Sequence, residues 1–312
     1  MKASESLDGV QQNNEVCAVV SAFNPGPETV ENVKWLLNYV SRVVIVDDGS
    51  PRDVKEVIGA FEALGASVIR LDTNSGIAKA LNTGIREARR RWNPEWVVTM
   101  DQDSRFSGDY INAALATVRS SSHPETVGMV CAESHNNAPL PVLKGSEEPE
   151  VFDPMTSGSL VRCSVFDTLG YFDEEFFIDC VDTEFNARLR DGGFRSLAGK
   201  GCNLVHSLGN ARPMMVFGWR VRVGQKKLNV YYHPPFRVYY ITRNSLVMAR
   251  RFWARQPAWV LRRLYMEVQS HLVRFVYGPD RRKHLIAAVA GARDAWRGRL
   301  GKIDESLASR LR

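Results

Sequence analysis

The chain contains no window of 18 uncharged apolar residues, so no segment reads as a membrane-spanning helix. Cysteine is sparse and unpatterned. Cys17, Cys131, Cys163, Cys180 and Cys202 are odd in number and lack CxxC spacing, which excludes a disulfide framework or zinc ribbon and leaves reduced core thiols. No GxGxxG follows the first apolar run and no Walker A lysine motif occurs, which disfavours a dinucleotide oxidoreductase or a P-loop NTPase. The opening MKASESLDGVQQNNE has no apolar core, so residues 1–14 read as a short disordered leader, and the expected location is the cytoplasm. Acid is scarce in the last third. Residues 216–312 hold 21 Lys/Arg and 5 Asp/Glu, a net +16, and subtraction from the totals of 41 and 35 leaves 20 and 30, a net −10, for residues 1–215. That reversal predicts a boundary near 215.

What is present reads as globular, with 44% hydrophobic and 24% charged residues. Apolar runs alternate with helical periodicity through the first hundred residues. Val16–Phe23 is a continuous strand-like run closed by Asn24-Pro25-Gly26, and Pro27 opens a helix with Val30, Val33, Leu36, Leu37 and Val40 inward. Val43–Val46 is a second strand ending at Asp47-Asp48-Gly49-Ser50, with 52–64 helical after it, and Asp48 or Ser50 is placed to cap that helix. Ser67–Arg70 is a third strand, and Ile77–Arg90 is a helix with Ile77, Ala80, Leu81, Gly84, Ile85 and Ala88 inward. Trp96-Val97-Val98 is a fourth strand. Such alternation predicts an α/β fold with a mostly parallel central sheet flanked by helices, Rossmann-like in plan.

The fourth strand runs into Asp101 and Asp103. In extended backbone these carboxylates leave on one face, and paired oxygen donors suit a hard cation, Mg²⁺ or Mn²⁺, that shares its remaining sites with a diphosphate. An Asx turn that merely ends a strand is the structural alternative. In parallel sheets ligands bind beyond the carboxyl ends of the strands. Asn24-Pro25, Asp47–Ser50, Asn74-Ser75-Gly76 and Asp101–Asp103 all lie there and are expected to converge.

The second half is less regular. Residues 108–119 read as helix, Thr126–Cys131 as strand, 134–154 as a loop, and Thr156-Ser157-Gly158 as a small-residue turn into a strand. Val181–Arg190 should be helical and end at Gly192-Gly193, with Asp179 and Asp182 sharing a face at its positive N-terminus.

VVSAFNP, VIVDDGS, NSGIAKALNTGI, MDQDS and FFIDCVDTEFNARLRDGG, in that order, resemble the family 2 glycosyltransferases of GT-A fold, most nearly the bacterial rhamnosyltransferases, over residues 15–250. The resemblance implies a GT-A catalytic domain at 15–215, with a nucleotide-binding half at 15–105 and an acceptor half at 106–215, and a basic helical region at 216–312. It places Ser21, Phe23, Asn24, Asp47 and Asp48 against base and ribose, and Asn74, Gly76 and Lys79 beside the nucleoside, with Asn82 capping or packing. Gln102 joins the nucleotide-sugar contacts, Asp101 and Asp103 the metal and diphosphate. Asp182 matches the catalytic base, while Val181 stands where the family usually has glutamate, so Asp179 or Glu184 is left as a possible assistant. His206 is open between a ligand of metal or diphosphate and a core histidine; Arg243, paired with Asn244, is open between a phosphate clamp and an anchor for the last helices.

The activity so implied is inverting transfer of L-rhamnose from dTDP-L-rhamnose to a cell-surface polysaccharide or its lipid-linked precursor, with a UDP-hexose as the nearest alternative donor. A pyrophosphorylase would carry a basic glycine-rich loop where this chain has NPGPETV. An inactive membrane or glycan-binding scaffold is the non-enzyme reading, and retention of Asp101, Asp103 and Asp182 argues against it. In the basic region Arg250, Arg251, Arg255, Arg262 and Arg263 interleave with Phe252, Trp253, Trp259 and Tyr265, a pattern suited to the headgroup layer at the inner face of the plasma membrane. A solvated basic face packed on the catalytic domain is the bland alternative, and no nucleic-acid motif accompanies the charge.

Overall fold

The computed structural model describes residues 12–143, 145–206, 211–216 and 219–311. Packing divides the chain into two units. One takes the chain up to Phe177 and again Val181–Ser207; the other takes Ile178–Cys180 and Leu208–Arg312.

The first unit is built on a nine-stranded mixed sheet with helices on its faces. Its strands are β1 (Asn13–Ala22), β2 (Val40–Asp47), β3 (Ser67–Arg70), β4 (Trp96–Asp101), β5 (Ser104–Ser107), β6 (Val127–His135), β7 (Ala138–Pro139), β8 (Ser159–Arg162) and β9 (Arg195–His206). The order is β3-β2-β1-β4-β8-β6-β9-β5, with β7 pairing β6. β3, β2, β1 and β4 are parallel, as the alternating pattern predicts. Beyond β4 the expectation of a mostly parallel sheet gives way. β8 runs antiparallel to β4 and β6, β9 is parallel to β6, and β5 is antiparallel to β9. For β5 the cause is local, since β4 reverses at Gln102-Asp103 straight into it with no crossover helix between them.

Helices α1 (Pro27–Leu36), α2 (Lys55–Ala63), α3 (Ile77–Trp92), α4 (Tyr110–Ser120), α5 (Cys163–Leu169) and α6 (Val181–Asp191) cover the sheet. α3 packs closely on β1 because Gly84 has no side chain; a Cβ there would lie 2.4 Å from Val19 Cγ1. α2 starts at Lys55 and not at 52, and Asp53, which accepts from the Lys55 N–H, takes the place expected of Asp48 or Ser50. The stretch 134–154 is not wholly a loop, since β7 and the bridge Val142 to Val151 order parts of it. The core runs under β1 and β4 and ends in stacked aromatics, with Phe106 and Tyr110 ring centres 4.3 Å apart. All five thiols are buried and free, and burial pushes each pKa up to about 12, so none is poised as a nucleophile.

In the second unit three short antiparallel pairings, from Ala211–Pro213 with Asn229–Tyr231 to Arg222–Val223 with Lys226–Lys227, precede α7 (Pro235–Phe252), α8 (Pro257–Tyr277), α9 (Arg281–Trp296) and α10 (Glu305–Leu311). Pro257 opens α8, and Pro279 sits in the turn before α9, as proline without a donor N–H requires. Gly291 brings α9 against α7, because a Cβ there would meet the Tyr239 carbonyl oxygen at 2.5 Å. No described helix is long and apolar enough to cross a membrane.

Candidate active site

β1 and β4 are adjacent and in register, Ser21 opposite Asp101, so their carboxyl ends open at one place. Gln102 stitches these ends together: its Oε1 accepts from the Phe23 N–H at 2.8 Å, and its Nε2 donates to the Phe23 carbonyl at 3.3 Å. Asn24 follows in a left-handed conformation with φ 50°, its N–H given to Ser50 Oγ at 2.6 Å. Its Oδ1 is buried without a donor, an acceptor suited to a base N–H or a ribose hydroxyl.

The paired acids of β2 play different parts. Asp47 is fully buried and binds Arg70 Nε at 3.0 Å and the Ser50 hydroxyl. Asp48 accepts from the Ser75 and Gly76 N–H groups at 2.7 and 2.9 Å. Both carboxylates therefore build the loops around the site. Asp47, which the resemblance places against base or ribose, is thus a buried carboxylate held by Arg70 and Ser50.

The loop at Asn74–Gly76 is pinned from a second direction. Gly76 adopts φ 95°, and a Cβ would lie 2.4 Å from the Phe177 carbonyl, which accepts from Ile77 N–H at 2.9 Å. Lys79 points to Glu174 at 3.1 Å and is half-exposed. Asn82 is buried and bonds the Phe172 backbone in both directions, at 2.9 and 3.0 Å, which settles it as a packing residue.

Asp101 ends β4 and Asp103 lies in the turn after it, partly buried and exposed respectively. The two thus flank a reversal and do not share one extended strand. Asp182 stands in the first turn of α6, where its Oδ1 accepts from Thr183 N–H at 2.8 Å and its Oδ2 from Thr156 N–H at 3.1 Å. Next to Thr156, the buried Ser157 hydroxyl accepts from the Asp101 N–H at 3.1 Å. One two-residue turn therefore bonds the backbone of Asp101 and the carboxylate of Asp182. Gly158 permits it at φ 80°, its N–H given to the Thr99 carbonyl at 2.8 Å. Sequence reading assigned Thr156 and Ser157 only to a turn; Thr156 acts through its backbone N–H, which leaves no mark in residue type, and the signal available was the Ser157 hydroxyl directly ahead of a glycine.

Three other candidates fall outside this cluster. Glu184 is buried and held twice by Arg188 Nε, at 2.8 and 2.9 Å, so its role is structural. Asp179 lies before α6 at φ 61°, not on its face, and its carboxylate turns to Arg237. Arg243 is fully buried, donating to Asn244 at 2.9 Å and to the Gly301 carbonyl at 2.6 Å with its guanidinium over the Tyr240 ring, contacts of the kind the anchor reading calls for. For His206 the backbone pairs with Ser104, next to Asp103; its side chain lies outside the described residues.

Among the described residues no group of three or more His, Cys, Asp or Glu side chains forms a closed metal site. Asp101 and Asp103 are all-oxygen donors, and two carboxylates suit Mg²⁺ or Mn²⁺ held jointly with phosphate oxygens of a substrate.

Residues 17–131 match the family model for Glycosyl transferase family 2. A curated relative, dTDP-rhamnosyl transferase RfbF of Shigella flexneri, is 27% identical over 257 residues, covering 77% of this chain and 81% of its own. Among solved structures, the mannosyltransferase PcManGT from Pyrobaculum calidifontis, in complex with GDP-Man and Mn²⁺, superposes with a TM-score of 0.52 at 17% identity, covering 95% of this chain and 78% of that one. S. aureus TarS gives 0.50 at 14%, and the 89% of this chain that is matched spans 55% of its length. Residues 17–131 thus form a family 2 glycosyltransferase domain, and the chain is a glycosyltransferase with the GT-A fold.

Proposed function

We propose that the protein is an inverting, metal-dependent rhamnosyltransferase that moves L-rhamnose from dTDP-L-rhamnose to a cell-surface polysaccharide or its lipid-linked precursor at the inner face of the membrane. The observation that carries this reading is the shared turn at Thr156-Ser157, whose Ser157 hydroxyl bonds the Asp101 backbone N–H and whose Thr156 N–H bonds the Asp182 carboxylate. The likeness to a dTDP-rhamnosyl transferase supports the donor.

Asp101 and Asp103 would hold Mg²⁺ or Mn²⁺ against the donor diphosphate, and the ion would offset the charge that grows on the leaving group. Asn24 Oδ1 and the backbone around Phe23 receive the nucleoside, with Ser21 beneath it and Asn74, Gly76 and Lys79 closing the far side. Asp182 takes the proton of the acceptor hydroxyl as that oxygen attacks the anomeric carbon. Two backbone N–H groups, of Thr156 and Thr183, orient its carboxylate. One base and one displacement give inversion.

The test is turnover of dTDP-L-rhamnose against UDP-hexoses, with Asp182→Asn beside the wild type. Transfer from dTDP-L-rhamnose alone is expected, with kcat falling about 10²–10⁴-fold in the variant while dTDP affinity holds. Equal turnover by the variant would remove Asp182 from the chemistry.

A further inference from the structure

The helical unit turns its charges in unexpected directions. On α8 the outward positions Leu261, Tyr265, Val268, Leu272 and Phe275 are all exposed and recur at spacings of four and three. The charged residues of that helix face the other way: Arg263 is largely buried and bonds Cys180 Sγ at 3.2 Å and Glu267 at 3.4 Å. α9 is joined to α8 by Gly278-Pro279-Asp280 and packs on it. Its inner face, Ala287, Ala290 and Gly291, is buried, whereas Leu285, Ile286, Val289 and Trp296 are exposed, Trp296 at 87%. Arg282, Arg293, Arg297 and Arg299 are exposed along and just beyond the same helix. The one acid within α9, Asp294, is buried, accepts from Tyr239 Oη at 3.0 Å and pairs with Arg293 Nε at 3.2 Å, so of these four arginines it offsets Arg293 alone.

An apolar face of this kind calls for a cover. A second copy is disfavoured by charge, because a two-fold contact sets the same patch against itself and would bring arginine to arginine. An anionic bilayer meets both features at once. Its headgroups pair with the arginines, its acyl boundary takes Leu285, Ile286 and Val289, and an exposed indole is at home at that depth.

We propose that α9 lies in the headgroup layer of an anionic membrane, with its Leu285, Val289 and Trp296 face turned to the lipid and the α8 stripe extending that apolar surface. This names the docking element for the membrane part of the proposed function and does not depend on the donor. It adds α9 to the Arg250–Tyr265 stretch singled out by sequence, where Phe252, Trp259 and Val260 are buried and Trp253 and Tyr265 are exposed.

The experiment is co-sedimentation of the full chain with vesicles of phosphatidylcholine alone and of phosphatidylcholine with phosphatidylglycerol. Expected are strong preference for the anionic vesicles and about fivefold weaker binding for Arg282→Ala and again for Arg297→Ala, since each cation near such a surface is worth about that factor. Val289→Glu should abolish binding while thermal unfolding and transfer to a water-soluble acceptor stay unchanged. Equal binding to both vesicle types, or anionic binding untouched by Val289→Glu, overturns the proposal. So does a dimer in sedimentation velocity that Val289→Glu splits, since the cover would then be a second copy. Active transfer with no vesicle binding would defeat this inference alone; vesicle binding with no transfer from any donor would defeat the functional reading alone.

Discussion

Two acids that stand 81 positions apart in sequence, Asp101 on β4 and Asp182 on α6, bond neighbouring residues, Asp101 through its backbone N–H to the Ser157 hydroxyl and Asp182 through its carboxylate to the Thr156 N–H. Three further charged residues that a motif would enlist, Asp47, Glu184 and Arg243, are spent inside the protein. A motif records the residue type at a position, whereas burial decides whether a carboxylate meets a ligand or an arginine. Buried titratable groups set the pH response as well. His233 is pushed down to about 3, first by burial and then by Arg274 and Arg237, and His271 to about 4 by burial, Arg274 and His284. Both imidazoles are therefore neutral when folded, while unfolded histidine takes up a proton near pH 6.5. The unfolded chain then binds more protons than the native one below pH 6.5, so stability is full above that value and drains as pH falls toward 4. Thermal unfolding from pH 7.5 down to 4.5 should show the fall, and His271→Gln should flatten it. An unchanged slope would mean that His271 is protonated in the native state.

At the scale of elements, the periodic signals of β1, β2, α3 and β4 were legible because each buries one continuous apolar set, and Gly84 even marks the α3–β1 contact. The entry to α6 was not. Phe177, Asp179 and Cys180 all adopt left-handed backbone, φ 64°, 61° and 63°, which costs a residue with a side chain about 1–2 kcal/mol and leaves no trace in hydrophobic pattern. Long-range bonds within the helical unit hold it. Asn244 Nδ2 donates to the carbonyls of Ile178 and Asp179 at 2.9 and 2.8 Å, and Arg237 grips the Asp179 carboxylate. Asn244→Ala should cost about 1–3 kcal/mol in urea denaturation, the penalty for leaving a buried acceptor unpaired. A loss under about 0.5 kcal/mol would show that these carbonyls find other donors.

At the scale of the whole molecule, composition and packing each divide the chain. The switch from acidic to basic composition predicts a boundary near 215, and packing separates the units at Ser207 and Leu208, with Ile178–Cys180 grouped with the helical unit. No linear reading reaches that three-residue grouping, because contacts and not sequence distance define it. The mixed order of strands after β4 was equally out of reach, since short apolar runs such as Ser159–Arg162 carry no sign of direction. Neither gap alters where the ends of β1 and β4 open, and there the account stands or falls. Its central claim is that Asp101 and Asp103 bind donor through a shared divalent cation, and calorimetric titration of dTDP with and without Mn²⁺ tests it most directly. Predicted are tight binding by the wild type only when Mn²⁺ is present and loss of that enhancement in Asp101→Asn/Asp103→Asn. Binding of equal strength without metal, or a double variant that responds to Mn²⁺ like the wild type, would contradict it.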